Sequence, residues 1–132
     1  MIVVDASAMV EALIGGNPDP VLFDALTGDV HAPHLLDVEV MAALRGLELG
    51  GKVDPGAAEN ARQDFLAMTI IRHELSPLAD RVWVLRHQFT SYDACYVTLA
   101  EALEAPLYTC DATLAGGGHR AEVRVLPLSR GQ

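Results

Sequence analysis

The chain contains 132 residues, of which 51% are hydrophobic and 20% are charged, and its formal net charge is −9. This length suits a single domain that buries its own core, and no apolar stretch is long enough to span a membrane. The acidic surplus argues against a nonspecific nucleic-acid binder, which is usually basic, but it does not exclude an enzyme that reaches nucleic acid through a metal ion.

Strands and helices alternate along the chain, as the apolar periodicity and the proline and glycine positions indicate. Ser7 is the expected cap of the first helix, Pro33 and Pro77 are expected to open later helices, and Thr90 or Ser91 is expected to cap another. The predicted strands lie at 2–4, around 30, at 69–71, at 107–109 and at 123–126; the predicted helices lie at 7–14, 20–28, 33–50, 54–67, 77–87 and 90–104, followed by a short helical turn from 111 to 116.

This alternation predicts an α/β fold in three layers, with a mostly parallel sheet of about five strands between two helical layers. We expect one domain over residues 1–132. Asp5 interrupts the N-terminal apolar run before a signal peptide could form, and Cys95 and Cys110 lack the spacing of a disulfide framework. Both features favour a cytoplasmic protein with free thiols.

Asp5 and Asp111 follow two of the predicted strands at similar junctions, DASA and DATL. The working site of a parallel sheet lies beyond the carboxyl ends of its strands, so both carboxylates are expected at one edge. The alternative is that each aspartate only caps the helix after it, which is common for aspartate at that point.

Glu39 lies inside the predicted helix at 33–50, in the segment VEVMAALR. At about 100° per residue, its neighbours on the helix surface are apolar, whereas Asp37 and Glu48 fall on the opposite side. An ionised carboxylate on a core-facing stripe needs a partner, which is either a metal ion or an arginine.

Asp93 shares an inward-facing stripe with Tyr96, Val97 and Ala100 in the segment YDACYVTLAEAL. Its spacing from Thr90 is also that of a capping box, so a capping role is the alternative to a site role. Four converging carboxylates would repel one another without a cation, and an oxygen-only ligand set suits Mg²⁺ or Mn²⁺ better than zinc. Such an ion activates water for attack on a phosphodiester.

Four segments in this order, IVVDASA, VEVMAALR, YDACYVTLAEAL and YTCDATLA, resemble the PIN-domain ribonucleases, specifically the VapC-type toxins of bacterial toxin–antitoxin pairs. The resemblance implies that Asp5, Glu39, Asp93 and Asp111 bind Mg²⁺ or Mn²⁺ and cleave RNA. It implies supporting roles for Ser7 and Thr109, a VapB-type antitoxin as partner, and a homodimer.

One position departs from the family pattern. Many relatives carry a basic residue just after the last aspartate, where this chain has Ala112 and Thr113. The basic side chains that we consider as replacements for a phosphate contact are Arg86, His87, His119 and Arg120.

Two other functions are compatible with parts of the pattern. A catalytically silent module that only binds an antitoxin would need neither Mg²⁺ nor Mn²⁺. A phosphatase with an aspartate nucleophile on the first strand would carry D-x-D-x-T there, whereas this chain has D-A-S-A, without the second acid.

Overall fold

The computed structural model describes residues 1–129 and has a five-stranded sheet at its centre. The strands lie in the order β3–β2–β1–β4–β5, and every neighbouring pair is parallel, which confirms the predicted α/β architecture. The strands are β1 (Ile2–Val4), β2 (Val30–Pro33), β3 (Ile71–His73), β4 (Leu107–Thr109) and β5 (Val123–Val125).

Helices cover the sheet in two groups, because the chain crosses from β1 through β2 to β3 and then returns to β4 on the other side of β1. Right-handed crossovers place helices on opposite faces when the direction of travel reverses. Among the described residues, none of the helices combines the length and the apolar character that a membrane crossing requires. The first group is α1 (Ala6–Ile14), α2 (Pro20–Leu26), α3 (Leu35–Leu49) and α4 (Pro55–Ala67); the second is α5 (Ala79–Val84) and α6 (Ser91–Leu103).

The core is one continuous hydrophobic cluster that runs from Ile2 to Leu126. Val3 and Val4 are completely buried, as expected for a central strand with helices on both faces. The last part of the predicted domain, residues 130–132, lies outside the described range.

Two helix starts differ from the prediction. The cap of α1 is Asp5 rather than Ser7, which lies inside the helix. The helix α3 begins at Leu35, and Pro33 is still the last residue of β2. The pairing of β2 with β3 continues past Pro33 because the N–H of His34 donates to the carbonyl of His73 at 3.1 Å, where the proline has no N–H to give.

Two further elements also differ from the prediction. The strand β3 is Ile71–His73 rather than 69–71, because its register against β2 pairs His31 with Ile71 and Pro33 with His73. The helix predicted over 77–87 is broken into a 3₁₀ turn at Ser76–Leu78, the helix α5 and a second 3₁₀ turn at Leu85–His87. The tighter second turn brings Phe89 into the core directly before α6 begins.

Glu11 is fully buried in α1, and the sequence analysis did not single it out. The N–H of Ser129 donates to both oxygens of its carboxylate at 3.1 and 3.2 Å, and the Ser129 hydroxyl donates to Oε2. Gly15 leaves room for this contact, since a Cβ there would lie 2.4 Å from the Glu11 carbonyl oxygen. The sequence does carry a signal for this residue, because Glu11 is the one carboxylate inside the apolar run of α1.

Candidate active site

Asp5 lies where β1 ends, and its carboxylate is 6% exposed. Its Oδ1 accepts hydrogen bonds from the N–H of Ala8 at 3.0 Å and from the hydroxyl of Ser7 at 2.7 Å. Its Oδ2 accepts a hydrogen bond from the hydroxyl of Thr109, at the end of the neighbouring strand β4, at 2.5 Å. The aspartate therefore caps α1 and also faces the carboxyl edge of the sheet.

The hydroxyls of Ser7 and Thr109 connect Asp5 to the segment after β4 by hydrogen bonds. Each hydroxyl has one proton, and both protons are directed at Asp5. Each hydroxyl oxygen then accepts a backbone N–H from the segment after β4: Cys110 donates to Ser7 at 2.8 Å, and Asp111 donates to Thr109 at 2.9 Å. Thr109 thus contacts the backbone of Asp111 rather than its carboxylate.

Asp111 lies just beyond Thr109 and is half-buried. Its Oδ1 accepts the N–H of Thr113 at 3.0 Å and the Thr113 hydroxyl at 2.7 Å, so it caps the short 3₁₀ helix Ala112–Ala115.

Burial raises the pKa of Asp5, against the effect of its hydrogen bonds, and the negative charge of Asp111 raises it further. Each aspartate thus caps the helix that follows it, and the effect of Asp111 on Asp5 shows that capping does not keep the two carboxylates apart.

Glu39 approaches the same edge from α3 and is half-buried. The hydroxyl of Tyr96 on α6 donates to Glu39 Oε1 at 2.6 Å. Asp37, on the other side of the helix, pairs with Arg72, but within residues 1–129 the ion pairs do not include Glu39. The arginine partner considered for Glu39 is thus not found in this part of the chain.

Asp93 lies in the first turn of α6, where its N–H donates to the hydroxyl oxygen of Thr90 at 3.1 Å. Thr90 is the N-cap, as one of the two predicted alternatives had it. The pKa of Asp93 is raised first by burial, and then by the negative charges of Asp111 and Glu39. A hydrogen bond with Thr90 lowers this pKa, so the Asp93 carboxylate keeps a contact with the N-cap residue and also lies within the electrostatic influence of two other acids.

We call Asp5, Glu39, Asp93 and Asp111 the acidic cluster. Each member influences another: Asp111 acts on Asp5 and on Asp93, and Glu39 acts on Asp93. The donors are all oxygens, as a hard cation requires, and a cation would relieve the raised pKa values. As the side chains lie, no group of three or more His, Cys, Asp or Glu residues within 1–129 is arranged to hold a metal ion. The ligand chemistry fits, but binding would require these side chains to draw closer together.

The basic residues considered as phosphate contacts have different surroundings. Both ring nitrogens of His119 are hydrogen-bonded to the backbone: Nε2 donates to the Leu114 carbonyl at 2.9 Å, and Nδ1 accepts the Ala121 N–H at 3.0 Å. Arg120 donates its backbone N–H to Glu101, which also pairs with Arg81. The roles of these residues in substrate binding stay predictions.

Arg86 and His87 lie in the 3₁₀ turn that follows α5, and both are exposed. The Arg86 guanidinium donates to the Trp83 carbonyl at 2.8 Å and stacks 4.8 Å from the centre of the exposed Trp83 ring. The side chains of Arg86 and His87 are therefore exposed to solvent, whereas His119 is half-buried.

Comparisons with known proteins agree on one group. No protein-family model matches the chain. It is 39% identical over 128 residues to Ribonuclease VapC1 of Mycobacterium tuberculosis, a match that covers 94% of the chain and 96% of the relative. It is 38% identical over 128 residues to Ribonuclease VapC12 of the same organism, with 96% and 99% covered.

Two solved structures share the fold at lower identity. The Mycobacterium tuberculosis VapC20 structure, described as a sarcin-ricin loop cleaving toxin, matches with a TM-score of 0.66 and 17% identity, over 91% of this chain and 97% of that one. VapBC-5 of the same organism, a member of the VapBC family of toxin-antitoxin systems, matches with a TM-score of 0.57 and 19% identity, over 96% and 98%.

Proposed function

Because the chain belongs to the VapC family of ribonucleases, we propose that it is the toxin of a toxin–antitoxin pair and cleaves RNA at the acidic cluster. The observation that carries this proposal is the electrostatic proximity of carboxylates from four separate segments: the charge of Asp111 raises the pKa of Asp5, and the charges of Asp111 and Glu39 raise the pKa of Asp93. A parallel sheet places its working site at that edge.

Asp5, Glu39, Asp93 and Asp111 would hold the divalent cation, for which we propose Mg²⁺ or Mn²⁺. When bound, such an ion supplies an activated water and stabilises negative charge on the phosphodiester. The protein's own part is to position the ligands. Ser7 and Thr109 direct their protons at Asp5 and keep its two oxygens in a fixed orientation between β1 and β4.

The proposed partners are RNA as the substrate, a VapB-type antitoxin and a second copy of the chain. Support for a protein partner comes from the apolar side chains that α2 and α4 leave exposed, since Val21, Phe23 and Leu66 are 53%, 46% and 55% exposed. Leu22 and Phe65 of the same helices belong to the buried core instead. The molar mass of the purified chain in solution, measured by light scattering, tests the homodimer: a monomer at all concentrations would contradict it.

The decisive experiment is RNA cleavage with and without a divalent cation. The purified chain is incubated with total cellular RNA in Mg²⁺, in Mn²⁺ and in excess chelator, and cleavage sites are mapped by sequencing. We expect cleavage in at least one of the two metals and none in chelator. Cleavage that continues unchanged in chelator would exclude the mechanism.

A matched pair of variants locates the activity. Asp93 and Asp80 are both first-turn acids, of α6 and α5, but Asp80 is exposed and lies outside the acidic cluster. We expect Asp93→Asn to lose cleavage and Asp80→Asn to keep it. A chain that binds a VapB-type antitoxin but cleaves no RNA in either metal would instead be the silent binding module.

A further inference from the structure

Tyr96 donates a hydrogen bond to Glu39 that joins α6 to α3 at the acidic cluster. Its side chain is 2% exposed, and its hydroxyl lies 2.6 Å from Glu39 Oε1, across 57 residues of sequence. This distance is typical of a charge-assisted bond from a hydroxyl to a carboxylate. A buried tyrosine hydroxyl needs such a partner, so the contact satisfies both groups.

Position along α6 places Tyr96 among the other acids as well. It follows Asp93 by three residues, which puts the two side chains on the same face of the helix. Its hydroxyl also experiences the negative charges of Glu39 and Asp5. Tyr96 therefore contacts Glu39, lies within the electrostatic influence of Asp5 and shares a helix face with Asp93.

The two partners differ in their freedom of movement. Glu39 has a long, flexible side chain, and fixing such a side chain costs conformational entropy. Tyr96 has a rigid ring that the core holds in place. A bond from the rigid partner to Oε1 fixes the flexible one before any ligand arrives, and it leaves Oε2 as the oxygen without this tyrosine contact.

We propose that Tyr96 is a positioning residue that acts through Glu39: its hydroxyl holds Oε1 and so prepares Oε2 to bind the divalent cation. The proposal rests on the proposed function, since it requires that the acidic cluster binds a cation. Groups that orient metal ligands in this way contribute about 10- to 100-fold to metal affinity.

The test is Mn²⁺ binding to the full-length chain, measured by calorimetry in the absence of RNA. Tyr96→Phe removes the hydroxyl and keeps the ring, and we expect it to weaken Mn²⁺ binding by about 10-fold or more. Tyr108→Phe is the matched control, because Tyr108 is also buried and its hydroxyl accepts a hydrogen bond from Arg124 at 2.8 Å, outside the acidic cluster. We expect Tyr108→Phe to bind Mn²⁺ as the wild type does.

A double variant separates positioning from general packing. If Tyr96 acts through Glu39, Tyr96→Phe should cause no further loss of Mn²⁺ affinity in a Glu39→Gln background. Equal affinity of Tyr96→Phe and wild type, or fully additive losses in the double variant, would overturn the proposal. So would an unfolded Tyr96→Phe by circular dichroism, since the hydroxyl would then serve the core.

The outcomes also distinguish this proposal from the proposed function. A wild-type chain that binds Mn²⁺ and cleaves RNA, with a Tyr96→Phe variant that does both equally well, removes the role of Tyr96 alone. A wild-type chain that binds no Mn²⁺ removes the metal site, and with it the role of Tyr96.

Discussion

The helix α1 carries two buried carboxylates that have different surroundings. Asp5 is 6% exposed at its start, and Glu11 is 0% exposed in its second half. Within residues 1–129, the Glu11 carboxylate accepts hydrogen bonds from the N–H and the hydroxyl of the neutral Ser129. Asp5 instead faces two hydroxyls, a backbone N–H and the charge of another acid, Asp111. Burial is therefore common to both carboxylates, and what distinguishes Asp5 is a neighbouring acid. We predict that this neighbour, rather than burial, identifies the carboxylate that takes part in catalysis.

The largest expected effect is on RNA cleavage. Outer-shell residues of metal sites already contribute about 10- to 100-fold, so we expect Asp5→Asn, at a proposed ligand, to reduce cleavage by more than about 100-fold. Glu11→Gln should cleave RNA at a rate close to that of the wild type, per mole of folded protein. Initial rates on one RNA substrate, with circular dichroism to measure the folded fraction, check this. Similar losses in the two variants would erase the contrast between the two carboxylates.

A second effect concerns the stability of the Glu11 region. A Cβ on residue 15 would lie 2.4 Å from the Glu11 carbonyl oxygen and 2.6 Å from its Oε2, so the backbone must shift. We expect Gly15→Ala to lower the free energy of unfolding by about 1–3 kcal/mol, as overpacking commonly does. Gly46→Ala is the control, since Gly46 lies in α3 with open space around it and the change should stabilise by about 0.5–1 kcal/mol.

Urea unfolding measures both glycine variants. If Gly15→Ala is as stable as Gly46→Ala, the contact between Gly15 and Glu11 is not a tight one. If Gly15→Ala also abolishes RNA cleavage by folded protein, the two ends of α1 are coupled and the comparison needs revision.

The smallest effect is a pH dependence of the metal-free protein. The raised pKa of Asp93, caused by burial and by Asp111 and Glu39, means that the folded state holds a proton at pH values where the unfolded state has lost it. The resulting destabilisation is fully present above the raised pKa, decreases as the pH falls through that pKa, and is gone below the unfolded pKa. His73 acts in the opposite direction, because burial and the charges of His31 and His34 lower its pKa.

The informative quantity is thus the difference between wild type and Asp93→Asn, measured by urea unfolding in chelator from pH 7 down to the ordinary aspartate pKa of 3.8. We expect the wild type to gain stability relative to the variant as the pH falls. Saturating Mn²⁺ should remove this trend, because the cation favours the ionised carboxylate. If the free energy of unfolding of the wild type instead falls relative to that of Asp93→Asn as the pH is lowered, the crowding of acids at this edge is contradicted.

Local signals predicted those parts of the fold in which one segment determines its own structure. The strand β4 is Leu107–Thr109 and the helix α4 begins at Pro55 after the cap Asp54, both as the sequence indicated. The start of β3 was predicted two residues too early, because the apolar Ile70 before it is buried although it lies outside the ladder with β2. Only the register against β2 determines which residues form that ladder.

The candidate site shows the same difference between features that a local pattern predicts and features that depend on a distant segment. The sequence analysis selected the four acids from patterns of strand ends and helix faces, and the structure brings their charges within mutual influence. It placed Tyr96 on the inward stripe of α6 without giving it a role, because the partner is 57 residues away. Glu11 was missed for the same reason, since Ser129 lies 118 residues further along the chain.

The central position of β1 has a consequence for synthesis. The first strand to be made pairs with β2 on one side, and on its other side Val3 and Val4 pair with Leu107 and Tyr108 of β4. Until about four-fifths of the chain has been translated, this apolar strand keeps one open edge, which is the kind of surface that pairs with other chains. A nascent chain of this protein is therefore most exposed to misassembly just before its last two strands emerge from the ribosome.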